Sequence, residues 1–64
     1  MFETTVTRLA ETIVPLTNIE FFNGTMFVEC SVREAIRLES TLVDNGISVM
    51  ISRIGSDTTA YDFV

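Results

Sequence analysis

The chain has 64 residues, 47% of them hydrophobic, with nine Asp or Glu against four Arg and neither Lys nor His. A chain this short buries only about 60% of the surface its unfolded form exposes, which predicts a single compact domain over residues 1–64 with no deep pocket for a small-molecule substrate. The missing histidine removes the commonest general base and zinc ligand, the missing lysine removes Schiff-base chemistry, and a net charge of −5 repels a phosphate backbone. The inventory therefore predicts a protein that is not an enzyme, with no cofactor, no metal and no direct nucleic-acid contact.

A mean hydropathy of +0.39 argues against disorder. No apolar run approaches the 18 or so residues of a membrane span, and Met1-Phe2-Glu3 lacks the basic start of a signal peptide. The expectation is a cytoplasmic chain complete from Met1. The single cysteine, Cys30, rules out an internal disulfide and suits a reducing compartment.

The first element reads as a helix. Phe2, Val6, Leu9, Ala10, Ile13 and Val14 recur at three- and four-residue steps on one stripe, and Pro15 ends the run. Its threonines make it weak on propensity alone, so it needs a surface to lean on. A hairpin follows, turning at Asn23-Gly24, the dipeptide favoured by a two-residue type I′ turn. That turn sets Phe21 opposite Met26 and Ile19 opposite Val28. Ile19, Phe21, Met26, Val28 and Cys30 then share a core face, while Glu20, Phe22, Thr25, Phe27 and Glu29 share the other.

The second helix is bounded near residues 32 and 44. Ser31 and Glu34 form a capping box, and Asn45-Gly46 closes the far end. Its expected buried stripe is Val32, Ala35, Ile36, Leu42 and Val43, with Leu38 at the margin. The remaining residues form a second hairpin, Ile47 to Ile54 and Thr58 to Val64. A three-residue loop at Gly55-Ser56-Asp57 sets Val49 against Phe63 and Ile51 against Tyr61, giving a coherent buried face. A two-residue loop would mix core and surface. Ser48, Met50, Ser52, Ile54, Ala60 and Asp62 then point outward.

This order, αββαββ, predicts an α+β two-layer sandwich: a four-stranded, mainly antiparallel sheet with both helices on one face. Strand orders 1-2-4-3 and 2-1-3-4 both satisfy the connections. The helices leave one sheet face uncovered, and Phe22, Phe27, Met50 and Ile54 are expected there, with Glu20 and Glu29 as diagonal neighbours. An apolar patch of several hundred Å² on so small a chain marks a partner surface.

Other constellations carry less. Glu20 and Glu29 as an acid–base pair would need a cleft. Their other reading is as partners for Arg53 or for arginines across an interface. Cys30, one residue before the helix cap, reads as a small buried apolar residue. Asp44, Asn45, Asp57 and Asp62 match no calcium-loop spacing. Asn23-Gly24-Thr25 fits a glycosylation sequon, but the turn explains it. Two functions follow. The first is a small regulatory or interaction module, a homodimer through the exposed sheet face. The alternative is an acidic decoy, of the kind a viral accessory protein supplies, occupying the basic surface of a host or nucleic-acid-binding protein.

Overall fold

The computed structural model describes residues 2–64. In chain order the elements are α1 (Phe2–Ala10), a 3-10 turn (Leu16–Asn18), β1 (Ile19–Phe22), β2 (Thr25–Glu29), α2 (Val32–Asp44), β3 (Val49–Ile54) and β4 (Thr58–Phe63). The strands form one sheet in the order β1-β2-β4-β3, and every neighbouring pair is antiparallel. This resolves the two orders compatible with the sequence in favour of β4 lying between β2 and β3.

Both hairpins have the expected register. Asn23 and Gly24 have φ of 51° and 80°, the left-handed pair that a type I′ turn requires. Ile19 accordingly pairs with Val28 and Phe21 with Met26. In the second hairpin Val49 pairs with Phe63, Ile51 with Tyr61 and Ile54 with Thr58, leaving three residues in the loop. At α2 the Glu34 backbone N–H donates to Ser31 Oγ at 3.1 Å and the Ser31 N–H donates to Glu34 Oε1 at 2.8 Å, completing the capping box. Gly46 follows the helix with φ 79°, a conformation that suits glycine at a helix end.

One hydrophobic cluster joins Val6, Ala10 and Val14 to Ala35, Leu38 and Leu42 of α2 and to Met26, Val28, Cys30 and Tyr61 of the sheet region. Ile19, Phe21, Val49, Ile51 and Phe63 pack against it. The Phe63 ring is stacked on Phe21, centroids 6.5 Å apart, and meets Phe2 edge-on at 5.0 Å. Tyr61 is fully buried at the centre, and its hydroxyl donates to the Ala35 carbonyl at 2.9 Å. That bond ties α2 to the sheet. Burial raises the Tyr61 hydroxyl pKa above its usual value, with the charges of Cys30 and Glu39 adding in the same direction.

Two helical details differ from expectation. α1 ends at Ala10 rather than at Pro15. Beyond it the bonds from Thr12 and Ile13 tighten to the carbonyls three residues back, Leu9 and Ala10, and Thr12 Oγ1 also donates to the Leu9 carbonyl at 2.6 Å. A threonine hydroxyl competing for that carbonyl favours a turn over further helix. In α2 the buried stripe is Ala35, Leu38 and Leu42, whereas Val32, Ile36 and Val43 are 59%, 54% and 54% exposed. Apolar residues span two adjoining arcs of this helix, and a single core covers only one of them. Leu38 moves from the margin to the centre as a result.

Leu38→Ala is expected to destabilise the fold by about 2–5 kcal/mol, as large-to-small core substitutions do, while Ile36→Ala costs less than about 1 kcal/mol. Urea melts of the two variants check the assignment of the helix face. The phenol gives a pH dependence of defined sign. Its folded pKa is raised, so its contribution is complete below the unfolded value of about 10 and is lost as pH climbs above it. Tyr61 is the only tyrosine. Tyrosinate absorbance should therefore appear together with loss of the circular dichroism signal; tyrosinate forming in a still-folded chain would contradict the burial.

Candidate functional site

Side chains alternate across a sheet, so the strand residues that alternate with those of the core face define its second face: Glu20, Phe22, Thr25, Phe27, Glu29, Met50, Ser52, Ile54, Thr58, Ala60 and Asp62. The registers arrange them in rows. One row runs Phe22, Thr25, Asp62, Met50; the next runs Glu20, Phe27, Ala60, Ser52; the third has Glu29, Thr58 and Ile54.

The six residues singled out from the sequence all lie on this face, but they do not form one patch. Phe22 and Met50, 66% and 65% exposed, stand on opposite border strands. Three interstrand spacings of about 4.8 Å separate them by about 14 Å. Between them Thr25 Oγ1 donates to Asp62 Oδ1 at 2.6 Å, a polar bar across the row. Phe22 and Phe27 are diagonal neighbours on one side, while Met50 and Ile54 flank Ser52 along β3 on the other. Phe27 is half-buried. Ala60, expected to point into solvent, is buried between Phe27 and Ser52, because its short side chain sits in the trough between taller neighbours.

Glu20 and Glu29 are exposed diagonal neighbours. They border an open depression of about 280 Å³ lined also by Asn18, Phe27 and Thr58. Asn18 Nδ2 donates to the Glu29 backbone carbonyl at 3.0 Å, holding the segment before β1 against the end of β2. Arg53 does not join these carboxylates, contrary to one expectation. It occupies the alternate, core-facing register of β3, where Nη1 donates to Thr59 Oγ1 at 2.8 Å and Nη2 to the Ser56 carbonyl at 2.6 Å. The same Nη1 lies 3.8 Å from Cys30 Sγ, and the Cys30 thiol lies 3.8 Å from Thr59 Oγ1. The sequence does carry a signal for this cluster, since Arg53 and Thr59 are cross-strand partners at the polar end of an otherwise apolar face.

The second face thus bears three carboxylates, Glu20, Glu29 and Asp62, and none of the four arginines. Arg8 belongs to α1, Arg33 and Arg37 to α2, and Arg53 points to the other side. Among the described residues no group of three or more Cys, Asp or Glu is assembled to hold a metal ion. No helix among them is long and apolar enough to cross a membrane. Comparison with family models, with curated proteins and with solved structures gave no match.

The polar bar makes the face testable. Asp62→Leu removes it and links Phe22, through the Thr25 methyl, to Met50 in one apolar row. The variant is expected to bind the dye ANS several-fold more strongly than the wild-type chain and to lose solubility. Unchanged dye binding would mean that Asp62 does not interrupt an apolar surface.

Proposed function

We propose that the chain is a small acidic, non-catalytic interaction module whose helices both layer against the core face of the sheet and whose second face receives a partner. The partner proposed first is a second copy of the chain, meeting the apolar residues Met50 and Ile54 at the β3 border and extending to Phe22 and Phe27. The observation that carries this reading is the exposure of Phe22 and Met50 on the sheet face opposite the main hydrophobic cluster. A 64-residue chain has little core to spare, and covering part of this surface stabilises it. Closed two-fold dimers are the commonest way in which chains do so. Lone, buried Cys30 fits work in a reducing compartment such as the cytoplasm.

A second reading has its own support in the charge of the face. Three carboxylates without a cation beside them, set around aromatic side chains, suit the basic surface of another protein, as an acidic decoy requires. Binding of that kind would weaken sharply in about 0.5 M salt, where the Debye length is only about 4 Å.

Light scattering across a concentration series tests the first reading. The wild-type chain is expected to have the mass of two chains, and Met50→Asp the mass of one with an unchanged circular dichroism spectrum. A wild type that stays monomeric at every concentration would overturn self-association and leave the basic partner.

A further inference from the structure

Two Asn-Gly pairs stand in this chain, Asn23-Gly24 and Asn45-Gly46, and all four residues are exposed. An asparagine followed by glycine is prone to lose ammonia spontaneously, because the glycine nitrogen attacks the side-chain amide carbon and no Cβ hinders its approach. Sequence and exposure do not separate the two pairs. Hydrogen bonding does.

At the end of α2 the pair is tied down. The Asn45 N–H donates to the Leu42 carbonyl at 3.0 Å, the Gly46 N–H to the Val43 carbonyl at 3.0 Å, and Asn45 Nδ2 to the Thr41 carbonyl at 2.7 Å. The attacking nitrogen and the amide it would attack are thus both bonded to the helix. In the first hairpin neither the Asn23 side chain nor the Gly24 N–H has a hydrogen-bond partner among the described residues.

Backbone geometry separates the pairs further. Ring closure needs the glycine nitrogen to eclipse the asparagine Cβ, which tetrahedral geometry places at a ψ of about −120°. The first central residue of a type I′ turn has a ψ of about +30°, and that of a type II′ turn has about −120°. Both are two-residue hairpin turns, and rotating the one peptide plane between Asn23 and Gly24 converts the first into the second. Asn23 keeps its positive φ of 51°, and Gly24 swings from φ 80° to about −80°, which glycine reaches without steric cost. The rotation does not require Phe22 and Thr25 to part. At Asn45, where ψ is 17°, the same rotation would break the bond from Gly46 to Val43.

We infer that Asn23 is a site of spontaneous covalent modification and that the fold protects Asn45. The Gly24 nitrogen bonds to the Asn23 side-chain amide carbon, its proton leaves with the amide nitrogen as ammonia, and a five-membered succinimide closes. Water then opens the ring. Opening at the side-chain carbonyl leaves aspartate; opening at the main-chain carbonyl leaves isoaspartate, whose backbone runs through Cβ and is one carbon longer. Asp-Gly suits the same turn, so aspartate adds a charge next to Phe22 and keeps the register. Isoaspartate lengthens a loop whose length pairs Ile19 with Val28 and Phe21 with Met26, and that form loses stability.

Incubating the folded wild-type chain in mildly alkaline buffer, then digesting after arginine and sequencing the fragments by mass spectrometry, tests the inference. Cuts at Arg8, Arg33, Arg37 and Arg53 place Asn23 in fragment 9–33 and Asn45 in fragment 38–53. The small mass gain of an amide becoming an acid is expected at Asn23 several-fold faster than at Asn45, and the two rates should converge in urea, where the fold no longer separates them. Asn45 modified as fast as Asn23 in the folded chain, or neither modified, overturns the inference. Asn23→Gly keeps a pair that suits the turn and should abolish the gain in fragment 9–33; a gain that persists overturns the assignment in favour of Asn18. The isoaspartate form, separated by chromatography, should melt below Asn23→Asp, which should match the wild type. Equal melting of the two overturns the effect on the register.

Discussion

Two residues with positive φ, Asn23 and Gly24, fix which side chains of the first hairpin the molecule hides. In a strand the faces alternate with a period of two, and a slip of one residue in the turn would exchange Phe21, Met26 and Val28 for Phe22, Phe27 and Glu29. Everything laid against β2 inherits that choice. β4 pairs with β2 on its other side, and that pairing sets Tyr61 opposite Met26, under the helix carbonyl that its hydroxyl reaches.

The sequence holds more apolar material than one core of this size can take. The cluster is filled by residues from both helices and one sheet face. Left over are the outer arc of α2 and the scattered apolar side chains of the second sheet face. These remainders are not equivalent. The sheet face is crossed by the Thr25–Asp62 hydrogen bond and carries three carboxylates, whereas the β3 border carries none and the helix arc has one, Glu39, between Ile36 and Val43. The strength of an apolar surface as an interface depends on continuity and charge as much as on area.

What the sequence made legible was local. The Asn-Gly turn, the Ser31–Glu34 box and the pattern of the second hairpin depend on a few adjacent residues, and each is found as read. What escaped was set by tertiary competition. The heptad-like spacing of Val32, Ile36 and Val43 is as regular as that of Ala35, Leu38 and Leu42, and only the position of α1 and the sheet decides between them. The early end of α1 came from the Thr12 hydroxyl, a detail of one side chain rather than of periodicity. Strand order was underdetermined because both arrangements satisfy the same connections. The six candidate surface residues were assigned to the correct face, but their separation into two groups required the full register of all four strands.

The seating of Arg53 over Cys30 and Thr59 has a chemical corollary. Cys30 is buried, only 7% of the residue exposed, and is held at the junction between the end of β2, the start of α2 and the second hairpin, so a reagent reaches its thiol when that junction parts. Slow thiol modification would therefore act as a clock for local opening, counting excursions in which the guanidinium lets go of the Ser56 carbonyl while the Tyr61 end of the core stays shut. A single cysteine makes that clock unambiguous, and it lies on the opposite side of the sheet from the face proposed to meet a partner.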